Sequence, residues 1–369
     1  MSLSTPVTVR SLSPVLSRAG QWHLLSGIQE AEGGVARYHY ISENRNARVS
    51  TEITGYTVSA LLELYDRSCE DSYLEAAARG GDLLVKAWDG RSSAMPFEWS
   101  ASGVLPEHHS YFFDNGIIAR ALLRLWRATG SQQYLDMAVC CGESMSRDFV
   151  NRHDIHPILT LPGKCPVARD ARWSRSSDCY QLKSALAWLD LYEVTGNESF
   201  RSEFEWTLER ALQTHGEFFD HEPQNHRIMD RLHAYGYFLE AILAVSERPE
   251  VRQALEEGIE REAAHLRAVR HEFERSDANA QLLRVRLWAD AQGAVALNQE
   301  AAAQEARWAA AYQMESEDPR LDGGFNFGRR EGVLSNYSNP VSTAFCLQAL
   351  ALWDDYQQGL PLADRRSLI

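Results

Sequence analysis

A short segment that joins two helical stretches recurs three times, and it constrains the fold of this chain more than any other feature. Each copy has an apolar run ending in Leu-Tyr or Leu-Trp, a polar turn, an aromatic residue and a second helical run. The copies begin at Leu61, Leu122 and Trp188 and read LLELYDRSCEDSYLEAA, LLRLWRATGSQQYLDMA and WLDLYEVTGNESFRSEF. Self-similarity with a period of roughly sixty residues indicates stacked supersecondary units, each of them a helical hairpin.

The rest of the chain extends this pattern to six helical pairs. The three copies lie in hairpins predicted at about residues 52–88, 114–148 and 178–218, and two further hairpins are predicted near residues 230–270 and 277–313. A final helix is predicted at 341–357, and an N-terminal helix within 12–28 can pair with it. The first helix of each pair is apolar on most faces and the second is charged on one side, as an inner and an outer ring require. The sequence therefore predicts an all-α (α/α)6 toroid, with residues 1–369 forming one domain.

Composition and charge limit the classes of partner. The 369 residues are 44% hydrophobic and 24% charged, which suits a globular protein with an extensive core. A net charge of −14 and the lack of long Lys or Arg runs argue against nucleic acid as a partner. No segment approaches transmembrane length, and the N-terminal segment lacks the apolar core of a signal peptide. We therefore expect a cytoplasmic protein without membrane insertion, while the sequence makes no prediction of oligomeric state.

The repeated turn LxLYxxTGxxxYLxxA, together with the segments DGGF and NPVSTAFCLQALALW, resembles the six-hairpin glycosidase group of carbohydrate-active enzymes. The resemblance covers residues 52–357 and implies the (α/α)6 toroid of that group. It also implies that catalytic acids, sugar-stacking aromatic residues and carboxylate-binding groups lie where the inner helices begin. The resemblance does not identify which residues of this chain would form the catalytic acid pair. The implied function is the processing of an oligo- or polysaccharide in bacterial polysaccharide metabolism.

Acidic residues stand at the predicted starts of five inner helices, and they are Glu52, Asp114, Asp178, Asp230 and Asp277. The first three are the candidate catalytic carboxylates. Glycoside hydrolysis needs one protonated and one ionised carboxyl group about 5–10 Å apart. Neighbouring packed helices lie about 8–10 Å apart, so an adjacent pair such as Glu52 and Asp114 has suitable spacing. The first hypothesis is therefore a glycoside hydrolase, with the choice of acid and base left open. Helix capping is the alternative, since Asp is a preferred N-cap residue.

His233 and Tyr235 in the fourth inner helix suggest a second chemistry. Either side chain can remove the C5 proton of a uronic acid while an Arg or an amide neutralises the carboxylate. Arg329 and Arg330, which follow the Gly-rich loop, are candidates to clamp that carboxylate. This pattern predicts a polysaccharide uronate C5-epimerase or a lyase. A helix-start histidine with structural bonds and a solvated Arg pair are the alternatives, and a non-catalytic glycan-binding toroid is the third hypothesis.

Polar and aromatic side chains near the same helix starts and in the long loops are predicted to bind the sugar. Aromatic rings stack on the apolar faces of sugar rings, while amides and carboxylates bond to the hydroxyl groups. The predicted set is Tyr56, Trp99, His109, Tyr111, Asn115, Trp173, Tyr180, Asp277, Asn279, Asp322, Asn326, Arg329, Tyr337 and Asn339. Capping, tight turns and packing are the structural alternatives for these residues.

No metal and no cofactor are predicted. The loop histidines lack a convincing set of Cys, His or Asp partners, and they are His108 with His109, His153 with His156, and His221 with His226. The segment DGGFNFGRREG lacks the GK[ST] ending of a phosphate loop. Terpenoid cyclases and prenyltransferase subunits use the same toroid, but the chain has no DDxxD or DxDD cluster in the right place.

Overall fold

Twelve α-helices dominate the computed structural model, which describes residues 12–103, 105, 108–151, 154–170, 172–219 and 225–369. They alternate along the chain between an outer and an inner position. The inner helices are α2 (Thr51–Ser68), α4 (Phe112–Thr129), α6 (Leu182–Thr195), α8 (Asn225–Ile242), α10 (Ser276–Ala291) and α12 (Pro340–Gln357). The outer helices are α1 (Pro14–Leu25), α3 (Asp71–Ala87), α5 (Gln132–Ser144), α7 (Glu198–Thr214), α9 (Pro249–Val269) and α11 (Gln299–Ala310).

The inner helices close into a ring. Each one contacts the next along the chain from α2 to α12, and α12 contacts α2 again. Each outer helix packs on the inner helix of its own pair, and α1 packs on α12 to complete the sixth pair. The predicted (α/α)6 toroid is thereby confirmed. The single domain over residues 1–369 stays a prediction, because residues 1–11 lie outside the described part of the chain.

Burial distinguishes the two rings. Every residue from Phe112 to Leu125 in α4 and from Ser276 to Ala289 in α10 is buried. The outer helix α7 instead buries one face, formed by Phe200, Phe204, Thr207, Leu208 and Ala211. A helix without a polar face must be covered on all sides, which is the position of an inner helix. Among the described residues, no helix combines the length and apolar character needed to cross a bilayer.

The recurring turn has the same hydrogen bonds in all three copies. A hydroxyl near the end of the inner helix donates to the carbonyl oxygen four residues earlier and accepts from the N–H two residues later, and it belongs to Ser68, Thr129 or Thr195. The next residue is left-handed in each copy, and it is Cys69, Gly130 or Gly196. A left-handed residue ends a helix by allowing its last carbonyls to be bonded locally. The repeat is therefore a helix stop built from side-chain and backbone bonds.

Four small antiparallel sheets, absent from the sequence-based prediction, accompany the helices. Their strands, grouped by sheet, are β1 (Val35–Ala36), β4 (Val49–Ser50) and β5 (Glu98–Trp99); β2 (His39–Tyr40), β3 (Arg45–Asn46) and β12 (Tyr337–Ser338); β6 (His109–Tyr111), β7 (Ile158–Thr160) and β8 (Cys165–Pro166); and β9 (Phe273–Arg275), β10 (Gly328–Arg330) and β11 (Val333–Leu334). Strands of two or three residues are too short to show an alternating pattern. β4, β6 and β9 lead directly into α2, α4 and α10, so they fix how these inner helices begin.

Two predicted helix starts differ from the structure. The third inner helix, expected from residue 178, begins at Leu182 after a 3-10 turn at Cys179–Gln181. The fourth, expected near Asp230, begins at Asn225. Local sequence placed both starts at an acidic residue, Asp178 or Asp230. Helix ends are generally the least predictable part of an element.

The end of the ring opposite the helix starts is filled by the last residues of the chain. The main-chain oxygens of Ser367, Leu368 and Ile369 accept hydrogen bonds from Arg124, Arg120 and Lys183 at 3.0, 3.0 and 2.9 Å. Lys183 also forms an ion pair with Glu240 at 2.9 Å, and Arg284 forms another with the same carboxylate. All three of these ionic side chains are wholly buried. The ring is therefore closed at one end by a polar layer and the C-terminal segment.

Candidate functional site

A cavity of about 360 Å³ opens where the inner helices begin. All six inner helices, or the residues that directly precede them, contribute to its lining, through Glu52, Asp114, Gln181, His233, Asp277 and Asn339. The other lining residues are Arg37, Ile53, Phe97, Tyr111, Phe113, Pro157, Trp173, Ser174, Tyr180, Tyr237, Arg275 and Val341. Because the inner helices of a toroid are roughly parallel, residues far apart in the sequence meet in one basin.

Glu52 and Asp114 form a pair of carboxyl groups on neighbouring helices. Burial and the nearby Glu52 carboxyl group raise the pKa of Asp114 well above its usual range, while the Arg37 guanidinium opposes this shift. Burial raises the pKa of Glu52 to about 7, again against the effect of Arg37. Asp114 Oδ2 is buried without a hydrogen-bond partner among the described residues. Asp114 therefore keeps its proton to a higher pH than an exposed carboxyl group does, and the Glu52 beside it is close to its titration point at neutral pH.

His233 lies on α8, which stands opposite α2 in the ring order. Its Nδ1 is 2.7 Å from Gln281 Oε1, an atom that only accepts hydrogen bonds, so Nδ1 carries the proton. Burial and the Arg275 charge lower the pKa of His233 to about 4. Its Nε2 has no hydrogen-bond partner among the described residues. His233 is therefore a neutral imidazole whose Nε2 lone pair is available as a base.

Asp277, two residues beyond β9, is held in an ion pair. Arg275 Nε and Nη2 donate to Asp277 Oδ1 and Oδ2 at 2.9 and 2.8 Å, and its Nη1 donates to Asp230 at 2.9 Å. Burial alone would raise the pKa of Asp277, but Arg275 and His233 hold that pKa below its usual value. Asp277 is therefore an ionised group committed to Arg275. Glu52 and Asp114 remain as the carboxyl groups able to give up a proton.

Aromatic rings form the walls around His233. The ring centroids of Tyr237 and Trp173 are 4.6 and 6.4 Å from that of His233. Trp173 packs edge-on against Tyr180 at 5.1 Å, and Phe113 contacts Tyr237 at 4.7 Å. Such walls suit the apolar faces of a sugar ring, and the polar groups between them suit its hydroxyl groups.

Eight of the sequence-predicted site residues meet in this cavity. They are Glu52, Tyr111, Asp114, Trp173, Tyr180, His233, Asp277 and Asn339. Asn339 has a second role there, because its side chain caps α12 by accepting from the N–H groups of Val341 and Ser342. The structure places the other predicted residues outside the lining.

Asp178 and Tyr235 are the two predicted catalytic residues outside the cavity. Asp178 precedes the 3-10 turn, and Gln181 takes the lining position at the start of α6. Tyr235 points to the other side of α8, where its hydroxyl bonds His215 Nδ1 at 3.0 Å. Its ring packs against Phe219 at 4.9 Å. Tyr237, one turn beyond His233, lines the cavity instead.

Four predicted binding residues make structural bonds within their own loops or helix starts. The amides of Asn115 and Asn279 donate to the main-chain oxygen four residues earlier, at 2.7 and 3.2 Å. Asp322 accepts from Arg18 Nη2 at 2.7 Å, which joins its turn to α1. Asn326 donates to the Ser335 carbonyl at 2.8 Å. These contacts correspond to the capping and turn alternatives for the four positions.

The remaining predicted residues lie around or beneath the cavity. Tyr56 is buried against Phe345, with ring centroids 5.2 Å apart. Trp99 has Lys86 over its ring at 5.2 Å, and His109 lies 6.3 Å from Tyr111. Tyr337 packs on Tyr38 at 5.0 Å. Arg329 and Arg330 lie on β10 as exposed residues over Tyr312 and Phe273, so the carboxylate clamp expected from this pair is outside the cavity.

Arg37, Gln181 and Arg275 are among the cavity residues that sequence reasoning missed. Arg37 follows β1 and reaches the cavity because β1 pairs with β4, the strand that leads into α2. No local signal marks that pairing. Arg275 did have a signal, since it stands two residues before Asp277 and a buried carboxylate needs a cation.

Within the described part of the chain, no group of three His, Cys, Asp or Glu side chains is arranged to hold a metal ion. His153 and His221 from the loop pairs considered above lie outside the described residues, as does the side chain of His226. The expectation of a site without metal therefore stays a prediction.

No family model and no curated protein match this sequence, whereas many solved structures match its fold. A cellobiose 2-epimerase from Spirochaeta thermophila is 14% identical, with a TM-score of 0.69 over 90% of this chain and 93% of that one. A D-mannose isomerase is 8% identical, with a TM-score of 0.68 over 96% and 100%. A family 76 glycoside hydrolase from a bovine Bacteroides thetaiotaomicron strain is 11% identical, with a TM-score of 0.61 over 94% and 78%. These matches confirm the resemblance to the six-hairpin toroid. At sequence identities of 8–14%, they show a shared fold.

Proposed function

We propose that this protein is a carbohydrate-active enzyme that transfers a proton at a sugar carbon adjacent to a carbonyl or carboxyl carbon, as an epimerase or isomerase does. The observation that carries this proposal is the neutral His233, whose Nδ1 proton is held by Gln281 and whose Nε2 is free to accept a proton. A base that is neutral at pH 7 is what abstraction of a carbon-bound proton needs.

The opposite wall supplies the acid. With an open-chain sugar in the cavity, His233 Nε2 takes the proton from C2, and the electron pair of the broken C–H bond forms an enediol with C1. Glu52 or Asp114, both raised in pKa, donates a proton to the developing oxyanion. Arg37, which lines the same cavity, offsets the remaining negative charge. Protonation of the opposite face of C2, with the O1 proton returning to the carboxylate that donated it, gives the epimer. Protonation of C1 by the imidazolium, with the O2 proton passing to that carboxylate, gives the ketose.

The fold comparison supports this choice without deciding it. As their names state, one of these proteins epimerises cellobiose at C2 and the other isomerises D-mannose, and each superposes over at least 90% of this chain. Polymeric uronates, considered from the sequence, share the same chemistry at C5. A cavity of about 360 Å³ suits one or two sugar units better than an extended polymer segment.

Deuterium exchange tests the proposal. We expect the wild-type protein in D2O to place deuterium at C2 of D-mannose, D-glucose or cellobiose, detected by NMR and by a one-unit mass increase. His233→Ala should lower the exchange rate at least about a hundredfold, since general base catalysis contributes roughly 10²–10⁴-fold. His271→Ala, a change at an exposed histidine, is the matched control and should exchange like the wild type. Exchange that survives in His233→Ala would remove His233 from the reaction.

Glycoside hydrolysis is the second candidate, because Glu52 and Asp114 are neighbouring carboxyl groups of unequal pKa. Such a pair can divide the roles of acid and base or nucleophile. The measurement is the release of new reducing ends from oligosaccharides. Release that is lost in Glu52→Gln and Asp114→Asn but kept in His233→Ala would favour hydrolysis over proton transfer at carbon.

A further inference from the structure

A second cavity of about 510 Å³ adjoins the one that holds His233. Trp173 and Ser174 line both cavities, and the Trp173 ring lies 6.4 Å from the His233 ring. A sugar whose reacting carbon lies at His233 can therefore extend past Trp173 into the second cavity. Asp230 lines this second space and also binds Arg275 of the first.

Arginine predominates among the charged residues of the second cavity. Its lining includes Arg172, Arg227 and Arg231 against two carboxylates, Asp170 and Asp230. Both carboxylates already bind guanidinium groups, and one of these groups belongs to Arg172 of the same cavity. Asp170 binds Arg172 through two hydrogen bonds of 3.0 Å and lies 3.3 Å from Arg175, while Asp230 accepts from Arg275 at 2.9 Å. The acidic groups of the cavity are therefore neutralised by their own partners.

Among the described residues that line the second cavity, Arg227 is the arginine whose guanidinium group binds no other group. It is an exposed residue in the first turn of α8, and among the described residues it has no carboxylate within ion-pair distance. Arg231, one turn further along the same helix, has its Nη1 fixed by the Phe218 carbonyl at 3.0 Å, which holds its guanidinium at the edge of the cavity. A guanidinium group that faces no described carboxylate beside the site is notable in a chain whose net charge is −14.

We infer that the second cavity receives an anionic group of the substrate, a phosphate or a carboxylate, at the end of the sugar remote from the carbon that faces His233. The inference rests on the proposed function for the position of the reacting carbon. Guanidinium groups bind both anions through charge-assisted hydrogen bonds. The substrate class is then an acidic sugar, such as a hexose 6-phosphate or a hexuronate, rather than a neutral sugar.

Three sugars that differ only at C6 test the inference: D-mannose, D-mannose 6-phosphate and D-mannuronate. We expect kcat/KM for deuterium exchange to be at least tenfold higher for one of the two anionic sugars than for mannose. The preferred anion identifies the group as phosphate or carboxylate. Arg227→Ala should remove most of that preference while changing the mannose rate less than twofold. Arg227→Lys, which keeps the charge, should retain part of it.

Arg252→Ala is the matched control, because Arg252 is an exposed arginine on the outer helix α9. It lowers the net charge by the same amount and should leave all three rates unchanged. Equal or faster exchange with mannose, or an equal effect of Arg227→Ala on all three sugars, would overturn the inference.

Calorimetric binding of the same sugars separates this inference from the proposed reaction. In one outcome no sugar exchanges deuterium, but an anionic sugar binds at least tenfold more tightly than mannose and Arg227→Ala abolishes that difference. This result would support the anion site and contradict the proposed reaction. In the opposite outcome mannose exchanges deuterium and neither anionic sugar binds more tightly than mannose. This result would support the proposed reaction and contradict the anion site. Sodium chloride should weaken anion binding and spare mannose, since Arg227 is exposed to screening.

Discussion

His233 and Glu52 lose their protons in different pH ranges. The pKa of His233 is lowered to about 4 by burial and by Arg275, and the pKa of Glu52 is raised to about 7 by burial. Between these values the imidazole is neutral and the carboxyl group is protonated. A base and an acid therefore coexist across one cavity without neutralising each other, which is the condition for moving a proton on and off a carbon atom.

The pH dependence of deuterium exchange follows from these two groups. With Glu52 as the donor, we expect kcat/KM to be flat from about pH 5 to 6.5 and to fall above pH 7, as Glu52 loses the proton that it donates. The fall should approach tenfold per unit at high pH. Glu52→Gln cannot ionise, so its lower rate should show no fall near pH 7. A rate that rises through pH 7 in the wild type would instead indicate an ionised Glu52 acting as base or nucleophile.

The spacing of residues along α8 explains why the sequence-based prediction was right about His233 lining the cavity and wrong about Tyr235. His233 and Tyr237 are four residues apart and share one face of the helix, whereas Tyr235 lies about 200° around from His233 at the helical repeat. Strict use of that spacing favours Tyr237 over Tyr235 as the companion of His233. Burial does not distinguish Tyr235 from Tyr237, because both tyrosines and His233 are buried. Hydrophobicity along the sequence therefore could not show which tyrosine faces the cavity.

His23 gives a prediction about stability at acid pH. It is 2% exposed, neither ring nitrogen has a hydrogen-bond partner among the described residues, and burial lowers its pKa to about 3. Between pH 6.5 and 3 the unfolded chain therefore binds a proton that the folded chain does not, so this residue makes stability fall as the pH falls. His23→Leu should raise the free energy of unfolding at pH 7 by about 1 kcal/mol and flatten its decline toward pH 4.

Urea unfolding at pH 7 and pH 4 measures both effects of His23→Leu. His271→Leu, at a residue whose side chain is 72% exposed, is the control and should change the free energy of unfolding by less than about 0.5 kcal/mol at either pH. A parallel decline of wild type and His23→Leu between the two pH values would contradict the proposed role of the buried imidazole.

At the scale of elements, helices followed from the sequence and the strands that lead into them did not. An 18-residue inner helix such as α4 carries several turns of apolar periodicity, while β6 before it has 3 residues. Yet the strands set the site, because β1–β4 pairing brings Arg37 to the cavity and β9 positions Arg275 before Asp277. The carboxyl and imidazole groups of the site were therefore predictable, and the cations that tune them depended on pairings between distant loops.

The helix stop of the repeat predicts a stabilising change. Cys69 adopts φ 56° where the second and third copies have Gly130 and Gly196 at φ 71° and 68°. A side chain in this left-handed region is strained, and glycine is not. Cys69→Gly should therefore raise the free energy of unfolding by about 0.5–1 kcal/mol, measured by urea denaturation under reducing conditions. Gly130→Ala, the reverse change in the second copy, should lower it by a similar amount, and an unchanged midpoint in both variants would refute the argument.

At the scale of the whole molecule, the two ends of the ring have different roles. One end gathers the polar starts of six helices around an open cavity, and the other is closed by the last residues of the chain. Counting helical pairs was enough to predict the ring, because five hairpins leave one unpaired helix at each terminus, and these two helices can join as the sixth pair. Counting gave no indication of the closed end, since its contacts join residues as far apart as Arg120 and Leu368.

The closed end makes a prediction about the C-terminal segment. Lys183, Arg120 and Arg124 each donate to a main-chain oxygen within residues 367–369, and Gln348 donates to Ser367 at 2.7 Å. Deleting residues 367–369 removes these acceptors and leaves buried donors and charges without them. We expect a loss of at least about 3 kcal/mol in the free energy of unfolding, because a buried charge that loses a partner is strongly destabilising.

Urea denaturation of the deletion variant measures this loss, and deuterium exchange at low temperature shows whether the distant cavity is affected. Arg366→Ala is the matched control, since Arg366 binds Glu193 and Asp364 at the surface, and it should cost less than about 1 kcal/mol. A deletion variant as stable as Arg366→Ala would mean that water replaces the missing acceptors, and the C-terminal segment would then be a cover rather than a structural part of the ring. A variant that is destabilised yet still exchanges deuterium when folded would show that the inner helices position His233 and Glu52 independently of the closed end.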